Sequence, residues 1–232
     1  PDLAALLTGH RVRSVERRAK YLLLRFDHGS LIIHLGMSGS LRVLAAGSAP
    51  RPHDHVDLLF GRRCLRLHDP RRFGAVLWAD GDPLDHPRLQ SLGPEPLSGG
   101  FDADYLHARA RGRRVAIKSL LMDGKVVVGV GNIYATEALF HAGIHPARRA
   151  ARVSRARLER LVDEVKRVLK TAIGRGGTTL RDFVNETGEP GYFAQELFVY
   201  GRAGEPCKAC GGTVKTRQIG QRASAYCPHC QH

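Results

Sequence analysis

Short apolar runs dominate the first third of the chain. RVRSVERRAKYLLLRF, SLIIHLGMSGSLRVL, HVDLLF, RCLRLHD and FGAVLWAD all lie within residues 11–80 and are rich in branched and aromatic residues. Turn signals at Asp27-His28-Gly29 and Gly61-Arg62 separate them. This pattern predicts strands joined by hairpins, hence an antiparallel sandwich or barrel. It breaks at His86–Asp102, HPRLQSLGPEPLSGGFD, where Pro, Gly and Ser predict a linker. From Asp102 to about Asn185 the period becomes helical. The clearest helix starts at Ser154, a good N-cap, and carries Leu158, Leu161, Val162, Val165, Val168 and Leu169 at core-facing spacing. Arg157, Glu159, Arg160, Lys166 and Arg167 fill its other face, which reads as solvated surface. Glycine-broken segments lie at Val126–Gly131 and Gly174–Gly177, and a last linker lies near Gly188–Gly191. The chain thus reads as a multidomain α+β protein. An antiparallel β-sandwich spans 1–85, a linker 86–101, a helical domain 102–190 and a small cysteine module 198–232.

The cysteines sharpen that last module. Cys207-x2-Cys210 and Cys227-x2-Cys230 form two close pairs separated by sixteen residues. Each Cys-x2-Cys turn offers two thiolates to one side of a metal, and two such turns complete a tetrahedral zinc site. Disulfides are the alternative, and they fit poorly with the fifth, unpaired Cys64 and with an N-terminus that has no export-signal pattern. Cys64, in the apolar stretch Cys64–Leu67, reads as a buried core thiol.

Charge adds a partner class. Thirty-six Lys and Arg against 22 Asp and Glu leave a formal +14 over 232 residues, with 43% hydrophobic content. That is a globular composition with a strong bias toward polyanions, nucleic acid above all. No apolar run approaches the roughly 18–20 residues that cross a bilayer. Several short stretches fit such a partner. Asp69-Pro70-Arg71-Arg72-Phe73-Gly74 sets two arginines beside an aromatic in a turn, the equipment of a wedge that enters a base stack; a surface turn with Phe73 in the core is the alternative. Met37, in HLGMSG, is a second wedge or a core residue. Lys20 follows Arg17 and Arg18; clustered cations favour proton transfer or Schiff-base chemistry, and a surface phosphate contact fits the spacing at least as well. Gly129 and Gly131 precede Asn132 and a helix whose free N–H groups suit phosphate. There is no G-x-G-x-x-G and no Walker lysine, so a nucleotide cofactor is not supported. Arg222, between the cysteine pairs, is expected to project from a rigid hairpin.

Taken together, RRAKYLLL, HLGMSGSL, DHVDL, DPRRFG, LGPEPL, LMDGKVVVGVGNIYATEALF, GIHP, PGYFAQELFVYGR and QRASAYCPHCQ resemble the bacterial formamidopyrimidine-DNA glycosylases. The resemblance runs in order from about Leu3 to Gln231. It implies a β-sandwich, a helix–two-turn–helix domain and a zinc finger holding one structural Zn2+ through Cys207, Cys210, Cys227 and Cys230. It also implies base-excision repair: removal of 8-oxoguanine and formamidopyrimidines from double-stranded DNA, then abasic-site cleavage by β,δ-elimination through a Schiff base. Residue by residue, Lys20 matches the lysine that assists β-elimination and Arg222 the arginine of δ-elimination and phosphate contact. Met37, Arg71 and Phe73 match the trio that fills the void of the extruded base, with Arg71 facing the orphan cytosine. His53, Arg71, Arg114, Lys118 and Asn132 match DNA-contacting positions. The stretch Thr178–Tyr192 matches the loop that closes over the extruded purine. The resemblance further implies a bacterial cytoplasmic, nucleoid-associated monomer with no membrane association.

The opening departs from the family. Its nucleophile is the proline of Pro-Glu-Leu-Pro-Glu-Val, whereas Pro1 here precedes Asp2-Leu3-Ala4-Ala5-Leu6. Only 19 residues precede Lys20, and DLAALLTGHRVRSV is similar to an interior family segment. A fragment lacking the nucleophile and its neighbouring glutamates is therefore expected, with Pro1 an interior residue. Two other readings stay open: a module that binds damaged or abasic DNA without cutting it, and an endonuclease VIII-type glycosylase for oxidised pyrimidines.

Overall fold

The computed structural model describes residues 2–176 and 197–232. They divide into two units that part between Ser91 and Leu92.

The first unit opens with α1 (Leu3–Leu7), capped by the Asp2 carboxylate, which accepts from the amides of Ala4 and Ala5. Seven strands follow: β1 (Ser14–Arg18), β2 (Tyr21–Phe26), β3 (Gly29–His34), β4 (Ser40–Ala45), β5 (Asp54–Phe60), β6 (Arg63–His68) and β7 (Ala75–Ala79). They form two antiparallel sheets, ordered β1-β2-β3-β7 and β4-β6-β5. Every predicted apolar run became one strand or two, with SLIIHLGMSGSLRVL giving β3 to one sheet and β4 to the other. The core between the sheets holds Leu24, Leu31 and Ile33, with Leu41, Leu58 and the α1 residues Leu3 and Leu7 against it. Cys64 is buried, as expected, and burial raises its thiol pKa.

The second unit contains α2 (Ala103–Ala110), α3 (Ile117–Leu121), α4 (Asn132–His141), α5 (Arg155–Gly174) and the hairpin β8 (Lys215–Ile219)–β9 (Arg222–Tyr226). The predicted stripe Leu158, Leu161, Val162, Val165, Val168 and Leu169 is buried in one core with α2, α3 and α4. Ser154 occupies the N-cap position of α5, but its hydroxyl makes no capping bond. The expected solvated face holds for Glu159, Arg160 and Arg167, Lys166 is half-buried, and Arg155 adds an exposed pair with Asp104. Arg157 departs from it: half-buried, it donates to the carbonyls of Gly143 and His232.

Residues 86–101, expected as one linker, divide between the units. Up to Ser91 they belong with the sandwich, and from Leu92 with the helices. Gly93 N donates to Gly124 O and Val128 N to Pro94 O, and Phe101 is fully buried, so this stretch is packed structure. The predicted linker at Gly188–Gly191 and the loop Thr178–Tyr192 lie outside the described residues. Among the described residues no helix is long and apolar enough to cross a membrane.

Candidate nucleic-acid interface

Four non-glycine residues among those described have left-handed backbone: Ala19 (φ +55°), His53 (+74°), Arg72 (+54°) and Gln221 (+59°). Each is, or adjoins, a predicted site residue: Lys20, His53, Arg71 with Phe73, and Arg222. Such backbone costs roughly 1–3 kcal/mol per residue and persists only where surrounding structure imposes it. Ala19 and Lys20 form the two-residue turn between Arg18 and Tyr21, which leaves Lys20 exposed at the tip. Gly220 (φ +54°) and Gln221 form the turn between Ile219 and Arg222, with positive φ at both central positions. Arg222 is thereby exposed at the first position of β9.

In the first unit the predicted wedge is assembled on two stacked turns. Gly36 (φ +64°) lies against the turn holding Phe73; a Cβ there would sit 2.5 Å from the Phe73 carbonyl carbon. Side chains larger than hydrogen cannot occupy that contact, which explains the glycine in HLGMSG. Asp69, nearly fully buried, ties the turns together. Its carboxylate accepts from Gly74 N (2.7 Å) and from Ser38 Oγ (3.4 Å), and its carbonyl accepts from His55 Nε2 (3.0 Å). Its own amide donates to His53 O (2.9 Å). Ser38 Oγ in turn accepts from Arg71 Nε (3.1 Å). One carboxylate residue thus joins the segments bearing Met37, His53, Arg71 and Phe73. Exposure removes the core alternative: Met37 is 64% and Phe73 61% exposed. Neither belongs to the core.

His53 precedes a register shift in β5 between Asp54 and Val56. Its loop is anchored by Arg66, which donates to Ser48 O (2.8 Å) and Ala49 O (2.9 Å) and is doubly bonded to Asp57. Near the Lys20 turn, burial and then the charge of Lys20 lower the His34 pKa, favouring its neutral form.

In the second unit the four expected cysteines converge. Their ligand atoms all lie within 4.8 Å of one another. Cys207 Sγ is 3.9 Å from Cys230 Sγ, and Cys210 Sγ is 3.5 Å from Cys227 Sγ. Four thiolates around zinc at about 2.3 Å stand roughly 3.8 Å apart, so this donor set fits one tetrahedral Zn2+. Neither pair is a disulfide. Gln231 locks the module: its side chain accepts from Cys227 N (2.9 Å) and donates to Ile144 O (2.9 Å).

Lys118, expected among the DNA-contacting positions, is buried. It is 1% exposed, and its Nζ donates to Ser224 Oγ (2.6 Å) and Ala223 O (3.2 Å). Asn132 Nδ2 donates to the same carbonyl at 3.3 Å. Lys118 and Asn132 therefore clasp the strand beside Arg222. Burial, then the charge of Arg222, lowers the Lys118 ammonium pKa to about 8. Asn132 opens α4 after the N-cap Gly131, which has no side-chain cap bond, as the glycine pattern predicted. Arg114 is exposed before α3.

Three residues that sequence reasoning passed over carry this geometry. Asp69 was visible in DPRRFG, yet only its neighbours were singled out. Ser224 lies 106 positions from its lysine. Glu137, buried on α4, accepts from the amides of Phe198, Val199 and Tyr200 (2.8–3.0 Å) and fixes the chain entering the cysteine module.

Comparison with known proteins places these features in one family. Three family models match: the formamidopyrimidine-DNA glycosylase N-terminal domain over residues 1–76, its H2TH domain over 92–184, and the zinc finger found in FPG and IleRS over 204–232. The formamidopyrimidine-DNA glycosylase of Methylococcus capsulatus is 59% identical over 231 residues, covering 99% of this chain and 85% of that protein. That of Stenotrophomonas maltophilia is 59% identical over the whole chain and 86% of its own length. Among solved structures, the MutM (FPG) protein of Thermus thermophilus matches with a TM-score of 0.89 and 39% identity over 98% of this chain and 85% of that one. The Lactococcus lactis Fpg bound to abasic-site DNA matches at 0.92 and 32% over 99% and 85%. By sequence, by its three matched domains and by fold, the chain belongs to the formamidopyrimidine-DNA glycosylase family.

Proposed function

We propose that this protein acts in base-excision repair as a glycosylase and abasic-site lyase on oxidised purines in duplex DNA, working as a cytoplasmic bacterial monomer. The observation that carries the reading is the wedge: two large apolar side chains, Met37 and Phe73, held out from a rigid sheet beside Arg71. Exposed apolar side chains on turns fixed by a buried carboxylate suit insertion into a base stack, where an extruded nucleotide leaves apolar surface to be filled.

The residues divide the work by chemistry. Arg71 donates to the base left without a partner. His53, Arg114 and Asn132 meet phosphates, a salt-dependent contribution to binding. Lys118 acts from inside, holding the strand that presents Arg222. The reaction begins with amine attack on C1′ of the extruded nucleotide; the base departs and a Schiff base forms. No described residue is assigned that amine. The iminium then acidifies the C2′ proton, and loss of that proton expels the 3′ phosphate. Lys20, exposed on its hairpin turn, moves protons at this stage, and Arg222 neutralises the phosphates as they leave. Zinc bound by Cys207, Cys210, Cys227 and Cys230 supplies folding of the hairpin rather than a reaction step.

The test is borohydride trapping on an abasic duplex, with excision of 8-oxoguanine and thymine glycol measured alongside. A trapped adduct with 8-oxoguanine preferred supports the proposal. Tight abasic-DNA binding with no adduct reduces the chain to a binding module. Preference for thymine glycol moves it to the oxidised-pyrimidine branch.

A further inference from the structure

On the outer face of the β4-β6-β5 sheet, one arginine takes both neighbouring carboxylates and leaves a second without one. Arg42, Arg66 and Asp57 lie side by side across the three strands. Buried Arg66 takes both oxygens of Asp57 at 2.7 Å and one of Asp54 at 3.4 Å. Asp54 is committed further: it pairs with His68 Nδ1 (2.8 Å) and accepts from Arg51 N (2.7 Å). Both carboxylates of the row are thereby used. Arg42 is left with no acidic partner among the described residues, and its Nε is shielded from solvent with no acceptor. A guanidinium cannot shed its proton, so this charge stands beside a second fixed cation.

Arg42 borders a cavity of about 270 Å³, lined by Ser38, Ser40, Arg42, His68, Pro70 and Arg71. Its described lining carries two arginines, two serines and a histidine, and no acidic residue is among them. Ser38 and Ser40 are themselves buried, so their positions are fixed by the fold rather than by solvent. A planar cation with an unused, desolvated donor, flanked by hydroxyls, matches a tetrahedral oxyanion in charge and in hydrogen-bond sense.

We propose that this cavity is a phosphate-binding site with Arg42 as its principal cation. Its ligand is a phosphate group, supplied either by a backbone phosphodiester of the duplex or by free inorganic phosphate. Only the first source rests on the function proposed above. A DNA phosphate here would add a fixed backbone contact beside the Met37–Arg71–Phe73 wedge, setting the register of the duplex without reading sequence.

The experiment follows the Arg42 Nε–Hε resonance of the full, zinc-loaded chain during titration with sodium phosphate and, separately, with a short undamaged duplex. In parallel, duplex affinity is measured against salt for the wild type, Arg42→Gln and Arg42→Lys. If the ligand is a DNA phosphate, the duplex shifts the resonance. Arg42→Gln then lowers the slope of log K against log salt by about 0.9, equally on undamaged and abasic DNA, and Arg42→Lys retains most of it. If the ligand is free phosphate, phosphate alone shifts the resonance in a saturable way and the slope is unchanged. A resonance that neither titrant moves, with an unchanged slope, overturns the site. The wild-type titration decides the question even where Arg42→Gln folds poorly. A saturable phosphate shift in a chain that fails to bind or trap abasic DNA would sink the repair reading and leave the site standing.

Discussion

The two units hold an exposed arginine by different physical means. In the sandwich, Arg71 rests on a turn organised by one buried acid, Asp69, which collects two amides, two histidines of one segment and a serine. In the helical unit, Arg222 starts a strand of a hairpin with little core of its own. Its burial is borrowed from Phe140 of α4 and from the cysteines. Its local support comes from Lys118 and Asn132, which grip Ala223 and Ser224. A sheet with a hydrophobic interior can fix a tip with hydrogen bonds alone. A short hairpin needs a metal and a cation reaching across from the helices.

This difference sets where each tip fails. The largest effect is expected from Cys227→Ser. Zinc binding in such modules is worth on the order of 10 kcal/mol, so losing one thiolate should unfold the hairpin and release zinc. DNA affinity should drop sharply, whereas the thermal transition of the sandwich should stay. Zinc content by atomic emission, with calorimetry on the same sample, checks this. Full zinc occupancy with unchanged DNA affinity would mean that the hairpin stands without its metal.

Next comes Asp69→Ala. Removing the carboxylate strands the donors on Gly74 and Ser38, at a cost of about 1–3 kcal/mol in urea unfolding. Because Asp69 supports the segments of Met37, His53 and Phe73, lesion binding should weaken with stability, while zinc content stays whole. A loss of stability with lesion binding intact would remove Asp69 as organiser of the wedge.

The same contrast explains what the sequence could show. Strands were legible because YLLLRF, SLIIHL and RCLRLH carry their apolar pattern within six residues. The cysteine site was legible because spacing alone encodes it. α1 escaped notice: LAALL is five residues long, too short for a helical period, although Asp2 stood ready as its cap. The burial of Lys118 was not legible, because its partner, Ser224, lies 106 positions away and nothing local to IKSLL marks it. Met37 and Phe73 were ambiguous for the opposite reason. Large apolar side chains normally signal core, and only the stacked turns decide that they point outward.

Lys118 gives a finer test of the helical tip. Its ammonium titrates at about 8 in the folded protein, lowered by burial first and by Arg222 second. In the unfolded chain it keeps its proton to about 10.4. Between those values the unfolded state binds more protons, so stability from this site rises with pH and levels off below about 8. Lys118→Met should abolish that rise and retain zinc. Urea midpoints of both proteins on either side of pH 8 measure it. Identical pH dependence in wild type and variant would show that the buried amine is not the titrating group.

The smallest effect on the fold, and the sharpest on function, is expected from Phe73→Ala. A residue 61% exposed on a turn contributes little to the core, so stability should change by no more than about 0.5 kcal/mol. Phosphate contacts do not involve the ring, so affinity for undamaged duplex at a given salt should hold. Affinity for an abasic duplex should fall roughly tenfold, about 1.4 kcal/mol, because the void in the stack loses its apolar filler. The informative quantity is the ratio of abasic to undamaged affinity, measured at two salt concentrations. A wedge lowers that ratio by the same factor at both, since stacking is not screened as phosphate contacts are. Equal losses on both duplexes would make Phe73 a general support of the turn, leaving Met37 and Arg71 to fill the gap.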